Sequence, residues 1–228
     1  MKVFLFRHWA VRHKGEKLFL GRTDLPLSAE GRRQAEAWRH PFQTRAPGRI
    51  VASPLIRALE FAKILAGDRQ ADVSVCPELA EIDLGDWDGR PMRDIRQRDP
   101  ASWQARGENL AQFRPPNGES FEDVQQRTLP AFQKLIGHDD PELIVVSHAG
   151  VNRAILCHLL GIPLANLFRI GQDYACLNVL ETGPLQTRLS RLNVPCPGQE
   201  RLYWNHAGGK NGLKALSGLE SPYLKESF

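Results

Sequence analysis

The chain has 228 residues, of which 42% are hydrophobic and 25% charged, enough for one sizeable core in an ordinary globular composition. A formal net charge of +4 and a pI near 9.0 suit an anionic ligand. The densest basic stretch, 90–98, is broken by Asp94 and followed by Asp99, so it reads as a solvated helix face, and no nucleic-acid partner is expected.

No apolar run reaches the roughly 20 residues of a membrane helix. The opening MKVFLF is cut off by Arg7-His8 before a signal-peptide core could form, so the expected compartment is the cytoplasm and no membrane partner is expected. In chain order, Val3-Phe4-Leu5-Phe6 is a buried strand. A turn ending in Ser28 precedes a helix over 29–38 rich in Ala, Gln, Glu and Arg. Ile50-Val51-Ala52 is a second strand, followed by Ser53-Pro54 as N-cap and first residue of a helix along which Leu55, Leu59, Ala62 and Leu65 recur.

Residues 85–118 gather Gly, Pro and charge and read as an excursion from the core, with helices over 92–98 and 101–106. Ser120 and Asp123 form a variant capping box for a helix running to about Leu135. Leu143-Ile-Val-Val-Ser147 is the clearest strand and leads through His148-Ala149-Gly150 into a helix with Val151, Ala154, Ile155, His158 and Leu159 on one face. Leu177 to Leu180 is expected to be the last strand. The alternation predicts an α/β fold, a three-layer α/β/α sandwich with a mainly parallel sheet. The domain is expected over 1–188, with 189–228 an irregular or packed tail whose Tyr203-Trp204 pair is a candidate lid. Four cysteines, Cys76, Cys157, Cys176 and Cys196, stand far apart without a C-x-x-C pair and read as free thiols, mostly buried.

Ligands of open α/β sheets bind at the carboxyl ends of the strands. Arg7-His8, Ser53 to Arg57 and His148-Ala149-Gly150 sit at three such ends, and the last two open helices whose N–H groups favour an anion. Each feature alone has an ordinary structural explanation. Their coincidence predicts one phosphate surrounded by two arginines and two histidines.

Several motifs run in an order that resembles the histidine phosphatase superfamily, in its α-ribazole phosphatase and phosphoglycerate-mutase-like branch. They are Phe6-Arg7-His8, Gly21-Arg-Thr-Asp-Leu-Pro-Leu-Ser28, Glu30-Gly-Arg-Arg-Gln-Ala35, Ser53-Pro-Leu-Ile-Arg-Ala58, Leu79-Ala-Glu-Ile-Asp-Leu-Gly-Asp-Trp-Asp-Gly89, Pro116-Asn-Gly-Glu-Ser120 and Ser147-His-Ala-Gly150. The resemblance implies His8 as nucleophile, with Arg7, Arg57 and His148 on the phosphoryl oxygens. It implies Glu81 as acid and then base, with Asp83 as the fallback. It implies Arg22, Ala149 and the position held here by Trp9 at the substrate, no metal and no cofactor, and a small phosphorylated metabolite as partner, with α-ribazole 5′-phosphate the leading substrate. Monomer and homodimer both remain open.

Trp9 departs from the family pattern, which has Gly there, and Val11 replaces the usual Ser or Thr. Trp9 either stacks on a substrate ring or obstructs the pocket. A non-catalytic phosphate binder is therefore one competing reading and a phosphoglycerate mutase another. A metal-dependent hydrolase using His8, His13 and His148 is a third, without clustered carboxylates or an H-E-x-x-H pattern to support it.

Overall fold

The computed structural model of the chain describes residues 1–9, 11, 16–42, 48–67, 73–183 and 186–199, so His13 and Tyr203-Trp204 lie outside the described residues. Strands β1 (Lys2–Arg7), β2 (Arg49–Ala52), β3 (Val73–Val75), β4 (Glu142–Ser147), β5 (Leu177–Thr182) and β6 (Thr187–Val194) form one sheet in the order β3-β2-β4-β1-β5-β6. The first four strands of that order are parallel, and β5 and β6 close one edge antiparallel.

The central strands read as continuous apolar runs because both of their faces are covered. Val3, Leu5, Val51, Leu143 and Val145 face one layer, and Phe4, Phe6, Ile50, Ile144 and Val146 face the other. Helices α1 (Ala29–Phe42) and α2 (Ile56–Ala66) supply Ala35, Trp38, Phe42, Ala58, Phe61 and Leu65 to the second layer. Helices α5 (Phe121–Ile136) and α6 (Ala149–Leu159) supply Val124, Phe132, Val151, Ala154 and Ile155 to the first. Full burial of each Val, Leu, Ile or Phe among them contributes about 1.5–3 kcal/mol. The capping box is complete, since Ser120 Oγ accepts the Asp123 N–H and Asp123 accepts the Ser120 N–H. Helices α3 (Met92–Arg98) and α4 (Pro100–Glu108) make up the expected excursion. The sheet with helices on both sides is the predicted three-layer sandwich.

Four expectations need correction. Leu177 to Leu180 is not the last strand, because β6 follows it and carries the domain past the expected boundary at Arg188. Register shifts around Val179 and the arginines at 188 and 191 blur the alternation of this half-covered edge strand. Strand β3 went unread because three residues with two exposed side chains leave no pattern. His158 is exposed and not on the buried face of α6. Ser53 does not cap α2: Leu55 stands at the N-cap without a side-chain bond, and the Ile56 N–H goes to Asp24 Oδ1 at 2.8 Å. Cys157, Cys176 and Cys196 are buried as expected, and Cys76 is half-buried.

Candidate active site

Sheet register brings the three strand ends together. Arg7 pairs with Ser147 across β1 and β4, the His8 N–H donates to the Ser147 carbonyl at 3.0 Å, and the Ser53 N–H donates to the Val146 carbonyl at 2.9 Å. His8 and His148 thereby lie with ring centroids 4.8 Å apart, both buried.

The protonation pattern of His8 follows from its neighbours. Nδ1 is bonded to the Trp9 carbonyl, which can only accept, so the ring proton sits on Nδ1. The Nε2 lone pair then accepts from Arg57 Nε at 3.2 Å. Burial, and next the positive charges of Arg57 and Arg7, hold the His8 pKa well below the ordinary histidine range, against a smaller opposing effect of the Trp9 carbonyl. His8 is therefore a neutral imidazole with a nucleophilic nitrogen facing a guanidinium.

His148 is likewise pushed well below the ordinary range, by burial first and then by His8, Arg57 and Arg7. Its Nε2 lies 2.6 Å from Ser53 Oγ, which itself accepts the Leu55 N–H at 3.3 Å. With the proton of the neutral ring on Nδ1, the Ser53 hydroxyl donates to His148 Nε2. Among the described residues that buried Nδ1 has no partner, and neither has buried Arg7 Nε. Arg7 is held by a bond from Nη1 to the Gln172 carbonyl and by stacking 3.8 Å from the centre of the Tyr174 ring. Arg57 is 1% exposed and gives Nη1 to the Thr23 carbonyl at 2.9 Å and Nη2 to the Gly21 carbonyl at 2.6 Å.

Glu81 reaches this group from the loop after β3. Its Oε1 accepts the Ile82 N–H at 3.0 Å, and its Oε2 accepts the Gly150 N–H of α6 at 3.1 Å. A Cβ on Gly150 would stand 2.5 Å from Glu81 Oε1, so glycine is required for the carboxylate to seat there. The loop itself is pinned from two sides. Ser147 Oγ donates to the Leu79 carbonyl at 2.9 Å, while Arg127 donates to the Glu81 carbonyl at 3.2 Å and pairs with Glu119 at 2.8 Å.

The structure brings together Arg7, His8, Arg57, Glu81 and His148, and Ala149 opens α6 beside them. The Arg22 side chain is exposed, within 3.4 Å of Glu119 and 3.8 Å of Asp83. The Asp83 carboxylate accepts the Gly85 N–H at 2.9 Å, whereas Glu81 acts electrostatically on Arg57 and is the carboxylate of the cluster. Trp9 contributes its carbonyl to His8, and its half-buried ring lies 6.0 Å from that of Tyr174. Ser53, read from sequence as a helix cap, turns out to be the partner of His148. Asp88 lies in a motif of the resemblance without an assigned role there, and the fold brings it, Gln172 and Tyr174 to the site.

Residues 3–195 match the histidine phosphatase superfamily (branch 1). The adenosylcobalamin/α-ribazole phosphatase of Escherichia coli (strain K12) is 29% identical over 88% of this chain and 99% of its own. The glucosyl-3-phosphoglycerate phosphatase of Mycolicibacterium vanbaalenii (strain DSM 7251) is 34% identical over 72% of this chain and 76% of its own. Among solved structures, the α-ribazole phosphatase of Shigella flexneri superposes with a TM-score of 0.79 at 28% identity, over 85% of this chain and 96% of that one.

Proposed function

The chain belongs to the histidine phosphatase superfamily, and on that footing we propose that it hydrolyses small phosphate monoesters through a phosphohistidine on His8. The observation that carries this reading is the neutral His8 whose Nε2 lone pair lies beside Arg57, with Arg7 Nε and His148 Nδ1 buried nearby and without partners among the described residues. A phosphoryl group on Nε2 would supply the acceptor oxygens these two nitrogens lack, and the arginines would offset its charge in a loose, in-line transition state.

In the first step Nε2 attacks phosphorus, the N–P bond forms as the ester P–O bond breaks, and the Glu81 carboxyl gives its proton to the departing alkoxide. In the second, the Glu81 carboxylate takes a proton from water, whose oxygen bonds to phosphorus as the P–N bond breaks. Inorganic phosphate leaves and His8 is restored. The route calls for no metal.

Hydrolysis of p-nitrophenyl phosphate by wild type and His8→Ala, with and without EDTA, tests it. The expected result is chelator-insensitive turnover that His8→Ala abolishes. Loss on chelation supports the metal-hydrolase reading, phosphate binding without turnover the non-catalytic one, and an active His8→Ala variant refutes the phosphohistidine.

For the natural substrate we propose α-ribazole 5′-phosphate, in cobalamin biosynthesis. Two observations support it: the likeness to a relative named for α-ribazole, over 88% of this chain and 99% of its own, and the Trp9 and Tyr174 rings beside His8, which suit a leaving alcohol that bears a flat heteroaromatic base. A comparison of kcat/KM across α-ribazole 5′-phosphate, glucosyl-3-phosphoglycerate and 3-phosphoglycerate is expected to favour the first. A higher value for either of the others contradicts the assignment.

A further inference from the structure

The Arg57 guanidinium has three nitrogens, and the protein uses them differently. Nη1 and Nη2 are each anchored by one hydrogen bond, to the carbonyls of Thr23 and Gly21, while Nε–H meets the reacting nitrogen of His8. The same three-residue loop turns its N–H groups the other way. Asp88 Oδ1 accepts the Gly21 N–H at 2.9 Å, and Asp88 Oδ2 accepts the Thr23 N–H at 2.7 Å. One carboxylate and one guanidinium therefore grip opposite edges of loop 21–23.

We infer that Asp88 is a positioning residue: by fixing loop 21–23 it sets the two carbonyls that aim Arg57 Nε at His8 Nε2. The inference rests on the reading of His8 as nucleophile. When a phosphoryl group bonds to Nε2, the lone pair that Arg57 Nε faces is consumed, and Nε–H passes to a phosphoryl oxygen. Because the two Nη atoms stay anchored, the position of that donor in the transition state is set by the loop, and so by Asp88.

The surroundings make the anchor firm. Asp88 directly follows the helical turn Gly85–Trp87, whose Trp87 is 2% exposed and packs 5.1 Å from the Phe19 ring. On the other side, a Cβ on Gly21 would stand 2.3 Å from the Ile82 carbonyl, so the loop is pressed against the segment next to Glu81. The loop is thus clamped between Asp88, Arg57 and the Glu81 segment.

Asp88→Asn tests the inference, because an amide nitrogen cannot accept and would confront one of the two N–H groups. The readouts are turnover of p-nitrophenyl phosphate and the pH midpoint of the His8 ring by 15N NMR, each in wild type, Asp88→Asn, Arg57→Ala and the double variant. Arg7, Arg57 and His148 all face His8, and of these only Arg57 depends on loop 21–23. Loosening Arg57 is expected to lower kcat about 10- to 100-fold with less effect on KM. It is also expected to raise the His8 midpoint by about one pH unit. In the Arg57→Ala background Asp88→Asn is expected to change neither quantity.

An Asp88→Asn loss of the same size with and without Arg57 overturns the inference, as does an unmoved His8 midpoint. If Asp88→Asn does not fold, Asp88→Glu, which keeps two acceptors on a longer stem, is expected to shift both readouts the same way by a smaller amount, and no shift overturns the inference. Full activity of His8→Ala refutes the phosphohistidine reading separately, and the NMR comparison still decides the role of Asp88.

Discussion

The two ends of the pocket are built differently. At the phosphate end, His8 and His148 stand at the exits of β1 and β4, the next residues after paired positions of buried central strands. Their separation is a consequence of strand register, and shifting it would turn every core side chain of β1 to the wrong face. At the leaving-group end, Glu81 stands on an irregular loop kept in place by single hydrogen bonds, one ion pair and a glycine that leaves room for it. The first end resists change because the core enforces it. The second rests on a few individual contacts, so a single substitution can shift it.

That difference can be put under stress, starting with the change of largest expected effect. Glu81→Gln removes the proton donor and is expected to lower kcat about 100- to 10,000-fold for an alkyl phosphate. It should matter far less for p-nitrophenyl phosphate, whose leaving group departs without a proton. Equal losses on both esters would mean that Glu81 belongs to the phosphate end. Gly150→Ala pushes a methyl group onto Glu81 Oε1 from the neighbouring helix and is expected to cost about 100-fold in turnover while leaving affinity for inorganic phosphate nearly unchanged. Phosphate binding weakened in parallel, read by calorimetry, would show that the two ends are not separable.

Trp9→Ala probes the boundary between the ends. It is expected to raise KM for α-ribazole 5′-phosphate about 3- to 10-fold and leave a sugar phosphate unaffected. A general gain in activity would instead show that Trp9 obstructs the pocket. The smallest effect is on stability. His8 and His148 have depressed pKa values in the folded state, whereas in the unfolded chain they titrate near the ordinary value of 6.5. As pH falls below about 6.5 the unfolded state takes up protons first, so their neutral burial costs nothing above that pH and erodes stability below it. The thermal midpoint is expected to fall between pH 7 and pH 5, with a shallower slope in His8→Ala. Identical slopes would show that His8 is not buried neutral.

The phosphate end was legible in the sequence because its residues follow the most regular signals in the chain, apolar strands that stop abruptly at Arg7-His8 and Ser147-His148. Glu81 became legible only through the family resemblance, since nothing in the periodicity of a loop distinguishes it from Asp83. Ser53 was visible but misread: the Ser-Pro pair has the form of a helix start, yet the hydroxyl serves His148 while Asp24, distant in sequence, meets the α2 N-terminus. Asp88 and Gln172 were hidden for the same reason, because each acts through backbone groups brought near only by folding. Strand β6 was lost in its own charge and in a register shift.

The central claim is that phosphorus passes through His8 Nε2. Its most direct measurement is rapid quenching during turnover of an activated phosphate ester, followed by mass spectrometry of peptides kept in alkali, where a phosphohistidine survives. The account predicts an acid-labile phosphoryl group on the peptide containing His8, absent in His8→Ala and accumulating in Glu81→Gln, where its hydrolysis is slowed. Turnover at full rate with no phosphopeptide, or with the phosphoryl group on His148 instead, would contradict it.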